Sequence, residues 1–237
     1  MKQLFLTILL LSCASLAFSQ STEKKSSIFI GLGPSIPVGD FSSKNASDDK
    51  DGLAATGFHV DLGYQYQFLK NVGAIAMING RTCGVAKDAL FYSLPDGSGG
   101  SASTSATTWR MASVLAGLTQ TFALSKDEAF SIEFREAAGI QFTSSPEVGV
   151  NFTIPGFGSA SAELESQSAT SFAYLLGLGF KYQLSSNLGL KLYGDFNNSN
   201  AKFKEYTVNN GGTAVTAPAS NQKTGTIDLG LGLIIGF

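Results

Sequence analysis

Hydrophobic and polar residues alternate along much of this chain. The last twelve residues show the pattern most clearly. Large apolar residues occupy every second position of this segment: Ile227, Leu229, Leu231, Leu233, Ile235 and Phe237. The positions between them are small or polar, with Ile234 the only large apolar exception: Thr226, Asp228, Gly230, Gly232 and Gly236. A period of two predicts a β-strand with one apolar face.

Seven further segments complete the pattern. Four alternate strongly, at residues 58–68, 130–142, 172–184 and 188–196. Three alternate more weakly, at about 27–38, 72–82 and 107–124. In the first weak segment, Pro34 and Pro37 cannot donate backbone hydrogen bonds, which predicts a position at the strand rim. The sequence therefore predicts about eight strands.

The segment at 107–124 changes parity along its length. Trp109 and Met111 alternate with Arg110, whereas Phe122 and Leu124 occupy the opposite parity. If the apolar residues all face outward, the strand needs one extra residue near its middle. We therefore predict a β-bulge there, with Arg110 facing inward.

The connections between these segments alternate between short and long. Polar turns at 69–71, 125–128 and 185–187 alternate with long Gly/Ser/Asn-rich stretches at 42–54, 83–106, 143–168 and 204–223. Short periplasmic turns and long extracellular loops are typical of outer-membrane barrels. The pattern predicts an all-β fold, a closed antiparallel transmembrane β-barrel with an even number of strands and both ends in the periplasm.

Composition favours the same fold. The chain is 43% hydrophobic but only 14% charged, whereas soluble domains carry about 25% charged residues. Beyond the amino-terminal leader, no apolar run approaches the ~18 residues of a membrane-spanning helix. A closed barrel satisfies every backbone group inside lipid. The net charge of −2 gives no indication of nucleic-acid binding.

The amino-terminus resembles a secretory leader. A basic start, an apolar run and small residues predict a signal peptide at 1–19, cleaved after Ser19, followed by one barrel domain at 20–237. Acylation at Cys13 is an alternative, because Leu10, Leu11 and Ser12 precede it as in a lipoprotein box. Removal of the leader leaves Cys83 as the only thiol, which excludes an intrachain disulfide.

The volume of a small barrel decides which face points outward. The interior of an eight-stranded barrel is only just large enough to be filled by side chains. The apolar face would overfill it with rings: Phe58, Tyr64, Tyr66, Phe68, Phe130, Phe134, Phe172, Tyr174, Phe180 and Tyr182. We therefore expect the aromatic face to contact lipid. The alternative is a soluble, lipocalin-like barrel with the apolar face inside.

Both ends of the predicted barrel carry a family resemblance. The stretch FIGLGPSIPVGDF at 29–41 resembles the first strand of the outer-membrane β-barrel domain proteins common in Bacteroidota, of the small OmpA/OmpX-like type. The leader ending in AFSQ at 17–20 is similar to leaders of that group. The terminal strand with Leu233, Ile235 and Phe237 resembles the signal that the outer-membrane assembly machinery recognises. The resemblance implies fold and location, and it carries no catalytic motif.

The predicted lumen face collects nine charged residues: Asp61, Arg81, Arg110, Glu133, Arg135, Lys181, Lys191, Asp195 and Asp228. Buried charges must be paired, so a salt-bridged plug is the favoured interpretation. A selectivity filter or proton path is the alternative.

Two smaller patterns contain residue types that can carry chemistry. His59 and Asp61 share a face and could orient a base for acyl transfer, but the loop serines are too many to identify a nucleophile, and a lumenal hydrogen bond is the favoured interpretation. Four carboxylates beside the first loop are compatible with calcium, but their spacing fits a solvated acidic tip better: Asp40, Asp48, Asp49 and Asp51. We predict no metal and no cofactor.

Three functions remain in competition. The first is a monomeric outer-membrane barrel with a structural or surface-interaction role, which is not an enzyme and contacts outer-membrane lipid, the assembly machinery and an unidentified extracellular ligand. The second is a narrow, porin-like channel for small or hydrophobic solutes. The third is a lipid-modifying outer-membrane enzyme.

Overall fold

A computed structural model describes residues 25–44, 51–90, 101–126, 128–156, 158–210 and 213–237. The predicted leader, with Cys13 and Ser19, lies outside the described residues, as do Asp48 and Asp49. The strands, in chain order, are β1 (Ser26–Pro37), β2 (Ala54–Gln67), β3 (Val72–Val85), β4 (Ser101–Ala106), β5 (Trp109–Ala123), β6 (Phe130–Ser144), β7 (Val148–Ile154), β8 (Gly158–Leu164), β9 (Ser168–Gln183), β10 (Leu188–Phe203), β11 (Tyr206–Asn210), β12 (Thr213–Ala217), β13 (Ser220–Lys223) and β14 (Thr226–Gly236).

Eight of these strands form a closed antiparallel barrel. Each of β1, β2, β3, β5, β6, β9, β10 and β14 pairs with the next in this order, and β14 pairs back with β1. The sheet therefore has no open edge across the membrane. The predicted closed antiparallel barrel of about eight strands is confirmed.

The two ends of the barrel differ as the connection lengths predict. Short turns join β2 to β3, β5 to β6 and β9 to β10 at one end, which we call the turn end. The two terminal strands also meet there, because the Phe237 N–H donates to the Ser26 carbonyl at 2.9 Å. The opposite, loop end carries a three-stranded sheet in the order β4–β7–β8 and the hairpin β11–β12. Within the described residues, no helix is long and apolar enough to cross a membrane.

The predicted bulge in the strand after the second long loop is wrong. The register of β5 against β3 and β6 runs without a shift from Trp109 to Ala123. Trp109 and Met111 are buried inside, whereas Arg110 is exposed on the outer face. The pattern misled because the outward positions of β5 include Ala112 and Ala116, so its two faces are almost equally apolar.

The two prolines of β1 do not both lie at a rim. Pro37 ends the strand, but Pro34 lies three residues inside it. The β1–β14 ladder lacks the pairs at residues 33 and 34 and resumes in the same register at Ser35 opposite Asp228. At Gly33 a Cβ would overlap the Leu229 carbonyl. β1 thus accommodates its internal proline by losing two residue pairs with β14, while the two strands stay close together.

The outer face is apolar along nearly its whole height. Exposed fractions reach 68% for Phe172 and 66% for Leu231. The predicted outward residues of β2, β9 and β14 are exposed, while the residues that alternate with them face the lumen. The aromatic face therefore lies outside, as the volume argument required.

Candidate functional site: the filled lumen

Charged side chains occupy the lumen in layers, and the lowest layer lies nearest the turn end. Glu133 is fully buried there and forms ion pairs with Lys181 and Lys191. The Arg135 Nε lies 3.9 Å from the same carboxylate. Glu133 thus faces three cations. The excess positive charge of this layer is compensated by the carboxylates of the next layer.

The middle layer is built on Arg135. Its Nη2 donates to both carboxylate oxygens of Asp195, each at 2.7 Å. The guanidinium also lies over the rings of Phe29 and Tyr193, 5.1 and 4.9 Å from their centroids. Such cation–π contacts strengthen when water is excluded.

Glycines on the barrel wall make room for these large side chains. A Cβ at Gly230 would overlap the Tyr193 ring, and one at Gly232 would overlap Phe29. Because β14 has glycine at these two positions, the rings of Tyr193 and Phe29 can fill the lumen beside it.

Tyr193 also joins the middle layer to His59 and Asp61. Its hydroxyl donates to Asp61 Oδ2 at 2.8 Å, and the His59 Nε2 lies 2.9 Å from the same hydroxyl. The His59 Nδ1 lies 3.2 Å from the Pro34 carbonyl. His59 is fully buried and its Nε2 faces a tyrosine rather than a serine. The geometry therefore matches a lumenal hydrogen bond and not a nucleophile–base pair.

The upper layer is centred on Arg81 and Asp228, whose Nη1 and Oδ2 atoms lie 3.7 Å apart. Ser35 donates to Asp228 at 2.5 Å and Asn197 donates at 2.8 Å. Arg81 donates to Ser113 at 2.7 Å. Polar side chains of β1, β10 and β5 thus hydrogen-bond to this ion pair.

A hydrophobic cap closes the lumen above these layers. Phe41, from the first long loop, is fully buried and packs edge-on against Trp109 with ring centroids 5.4 Å apart. The Trp109 indole N–H donates to the Gly52 carbonyl at 3.0 Å, which holds the loop over the barrel. Cys83 is a buried free thiol in the same cluster.

One side of the lumen is apolar rather than charged. Inward residues of β3, β5, β6 and β9 form a buried cluster: Ile75, Met77, Leu115, Ala137, Ala173 and Leu175. The predicted charges therefore share the interior with a small hydrophobic core.

Eight of the nine predicted lumenal charges lie inside the barrel, four cations and four carboxylates: Arg81, Arg135, Lys181, Lys191, Asp61, Glu133, Asp195 and Asp228. Arg110 is the correction, since it lies on the exposed outer face. Without Arg110 the two signs balance, as a buried network requires.

The two first-loop carboxylates that the structure describes, Asp40 and Asp51, have side-chain partners in the protein. Asp40 accepts from Lys223 at 2.9 Å, and Asp51 accepts from Ser43 at 2.5 Å. In the described part of the chain, no three His, Cys, Asp or Glu side chains form a group that could hold a metal.

The comparisons with known proteins concern fold alone. No family model and no curated protein matches the chain. Solved structures similar to it include Ail of Yersinia pestis, with a TM-score of 0.42 and 20% identity over 90% of this chain and 99% of that chain. Neisserial surface protein A has a TM-score of 0.43 and 10% identity, covering 90% and 97%. OprG of Pseudomonas aeruginosa has a TM-score of 0.43 and 14% identity, covering 91% and 98%.

The distribution of residues over the closed barrel decides its location. An edgeless antiparallel barrel with an apolar exterior and a polar interior is the architecture that outer membranes accept. The protein is an outer-membrane β-barrel. The resemblance to barrels of the Bacteroidota remains a prediction.

The outer face of this barrel carries one carboxylate that the sequence reasoning missed. Glu136 lies in β6 at an outward position, opposite Leu118 of β5 and Leu176 of β9. It is the middle one of the outward positions between Phe130 and Phe142. The alternation of β6 was sufficient to find it.

The turn end of the barrel opens into a vestibule of about 530 Å³. Several lysines line it, among them Lys25, Lys126 and Lys181. Lys181 also pairs with the buried Glu133, so the vestibule ends at the lowest charged layer.

The loop end carries an acidic pair on its three-stranded sheet. A hydrogen bond with Glu163 raises the pKa of Glu147, and the negative charges of Glu163 and Glu165 add to the shift. The Glu147 backbone is held by Thr107, whose Oγ1 accepts its N–H at 2.8 Å. This hydrogen bond fixes the backbone at Glu147, one member of the acidic pair.

Proposed function

We propose that this outer-membrane barrel acts through its extracellular loops, as a structural or surface-interaction protein that conducts no solute. The observation that carries the proposal is the filled lumen. Paired charges occupy its lower and middle height, and Phe41 with Trp109 caps the loop end. A solute path would have to break the Arg135–Asp195 bonds and the Glu133 ion pairs in succession.

The loop end supports the same function. Two additional β-structures, the β4–β7–β8 sheet and the β11–β12 hairpin, extend beyond the barrel there. Ordered sheet outside the membrane presents a defined surface. Its edge strands, β4 and β8, have no further strand partner among the described residues, so they can pair with an extended segment of another protein. The lumen supplies stability, and the loops supply the variable surface.

A narrow channel is the alternative, and the vestibule is the observation in its favour. The vestibule reaches inward from the turn end, so only the charged layers and the cap separate it from the outside. The enzyme alternative has less support, because its one candidate base, His59, is enclosed within the lumen.

Planar-bilayer conductance of the refolded protein tests the proposal. We expect no discrete steps from the wild type. Removing Arg135 and Asp195, Glu133 and Lys191, and Phe41 together (each to alanine) should produce steps, because it removes charge pairs from two layers and one ring of the cap without changing net charge. Three outward substitutions, Phe172→Ala, Leu190→Ala and Leu231→Ala, provide the matched control. Regular wild-type steps would overturn the plug and favour the channel.

The placement of the loops is tested by labelling intact cells. In a Cys83→Ala background, single cysteines at Gly158 and Ser166 should react with an impermeant maleimide, whereas cysteines at Asn71 and Asn187 should not. The opposite pattern would put the loops in the periplasm and exclude a surface role.

A further inference from the structure

Strands β9 and β10 separate near the loop end and leave a groove on the outer surface. Their pairing runs from Gly189 opposite Gln183 to Ser199 opposite Ala173. Beyond that point β9 pairs only with β6, while β10 continues beside β13 on its other edge. A hydrogen bond of 2.5 Å between the Ser171 and Ser199 hydroxyls marks the point of separation. The cavity between the strands has a volume of about 550 Å³.

The two walls of this groove differ in chemistry. On the β9 side stand Phe172 and Tyr174, which are 68% and 37% exposed. On the β10 side stand Asn198, Asn200 and Lys202. The Asn198 amide donates to the Tyr174 hydroxyl at 3.0 Å, which ties the walls together at the lower end.

The groove lies where the apolar belt ends on β10. The outward residues of this strand are apolar up to Phe196 and then become Asn198, Asn200 and Lys202. Its neighbour β9 is still aromatic at Phe172. The groove therefore spans the boundary between lipid chains and headgroups, on the side of the membrane that carries the long loops.

Two cations reach this boundary. Lys202 is exposed, and it has no ion-pair partner among the described residues. Lys223 faces the same side because it pairs with Asn200 across the ladder. Its ion pair with Asp40 is exposed, with side-chain exposures of 66% and 44%. An exposed ion pair contributes little to stability, so an incoming anion can displace Asp40.

An amphiphile with an anionic, hydroxyl-bearing head matches the chemistry of both walls of the groove, the aromatic β9 side and the polar, cationic β10 side. Lysines and amides bind phosphate and sugar oxygens, and an aromatic ring covers the apolar face of a sugar or the start of an acyl chain. Backbone groups freed where strands separate need polar partners, which lipid chains cannot supply. A cavity of about 550 Å³ is within the range that holds a whole small ligand rather than one phosphate.

We propose that this groove binds the phosphorylated sugar headgroup of an outer-leaflet glycolipid. Lys202 and Lys223 hold its phosphate, Asn198 and Asn200 hold its hydroxyls, and Phe172 packs against its apolar part. The site is independent of whether the lumen conducts.

Native mass spectrometry of the refolded barrel tests the site, with diphosphorylated lipid A as the probe. Wild type should retain lipid A in preference to phosphatidylglycerol. The pair Lys202→Gln and Lys223→Gln should weaken lipid A retention about tenfold or more, the effect of losing charge-assisted hydrogen bonds. The pair Lys25→Gln and Lys126→Gln, at the turn end, removes the same charge and should change retention little.

Two further results separate the possible ligands. Phe172→Ser should also reduce lipid A retention, because it removes the apolar wall. Equal retention of phosphatidylglycerol and lipid A, or an unchanged value for the Lys202/Lys223 pair, would overturn the proposal. Displacement of lipid A by millimolar inorganic phosphate, with Phe172→Ser unchanged, would overturn the glycolipid assignment and indicate a plain phosphate site.

Discussion

Replacing Arg135 by glutamine removes the cation at the centre of the lumen. Two hydrogen bonds of 2.7 Å to Asp195 are lost, together with the contacts to the rings of Phe29 and Tyr193. Asp195 and Glu133 remain in the interior with one cation fewer. Breaking a buried ion pair from one side costs about 3–5 kcal/mol, because the other charge stays buried without compensation. We expect the free energy of unfolding to fall by that amount.

The measurement is urea unfolding of the barrel in detergent or lipid vesicles. Trp109 is the chain's single tryptophan and is buried in the cap, so its fluorescence reports the transition. The matched control is Arg110→Gln, the same substitution on the exposed face. Arginine near the membrane interface changes barrel stability by about 0–1 kcal/mol, so this control should stay within that range.

The double variant Arg135→Gln with Asp195→Asn tests the cause. Removing both charges leaves no uncompensated carboxylate at Asp195, so the double variant should lose less stability than the two single variants summed. Coupling between contacting residues is typically about 0.5–3 kcal/mol. If Arg135→Gln and Arg110→Gln destabilise equally, or if the single effects add, the paired plug is not what stabilises the lumen.

Three further predictions concern the outer face, the loops and the terminus. Glu136→Leu should stabilise the barrel by about 1–2 kcal/mol in the same unfolding assay, because a lipid-facing carboxylate is replaced by an apolar side chain; a loss of stability would mean that Glu136 has a partner in the membrane. Carbon-13 NMR should find the pKa of Glu147 above the usual carboxyl range, and Glu163→Gln should lower it, because that substitution removes the neighbouring carboxylate charge. The contribution of the raised pKa to loop stability is complete at low pH and is lost as the pH rises through it. Deletion of Phe237 should lower the amount inserted in cells yet leave refolding in detergent nearly normal, since one rim aromatic contributes only about 1.5–3 kcal/mol; unchanged membrane levels would contradict the assembly role.

The barrel itself could be predicted because period-two patterning and turn length are local properties. Each strongly alternating segment became a strand with the predicted face outward. The prediction for β5 was wrong because this strand lacks the contrast between faces that the other strands have. Met111 and Leu115 face inward while Ala112 and Ala116 face outward, so both faces are apolar. In such a strand only the register with its neighbours, which the sequence does not display, decides the parity.

The lumen shows where local reasoning stops. Alternation identified which charges point inward, but it could not pair Arg135 with Asp195. The two residues are 60 positions apart in the chain, and they meet above Gly177 of β9, the strand that lies between β6 and β10. The alternation of residues 188–196 places Tyr193 on the lumen face, but it could not predict a role for the ring, because the glycine that makes room for it, Gly230, lies on another strand. Phe41 left no periodic signal, since it comes from a loop that folds back into the mouth. Its burial depends on the Trp109 bond to Gly52, which again joins distant parts of the chain. What closes this barrel is therefore set by contacts between strands, and a sequence pattern read strand by strand can propose a plug without specifying it.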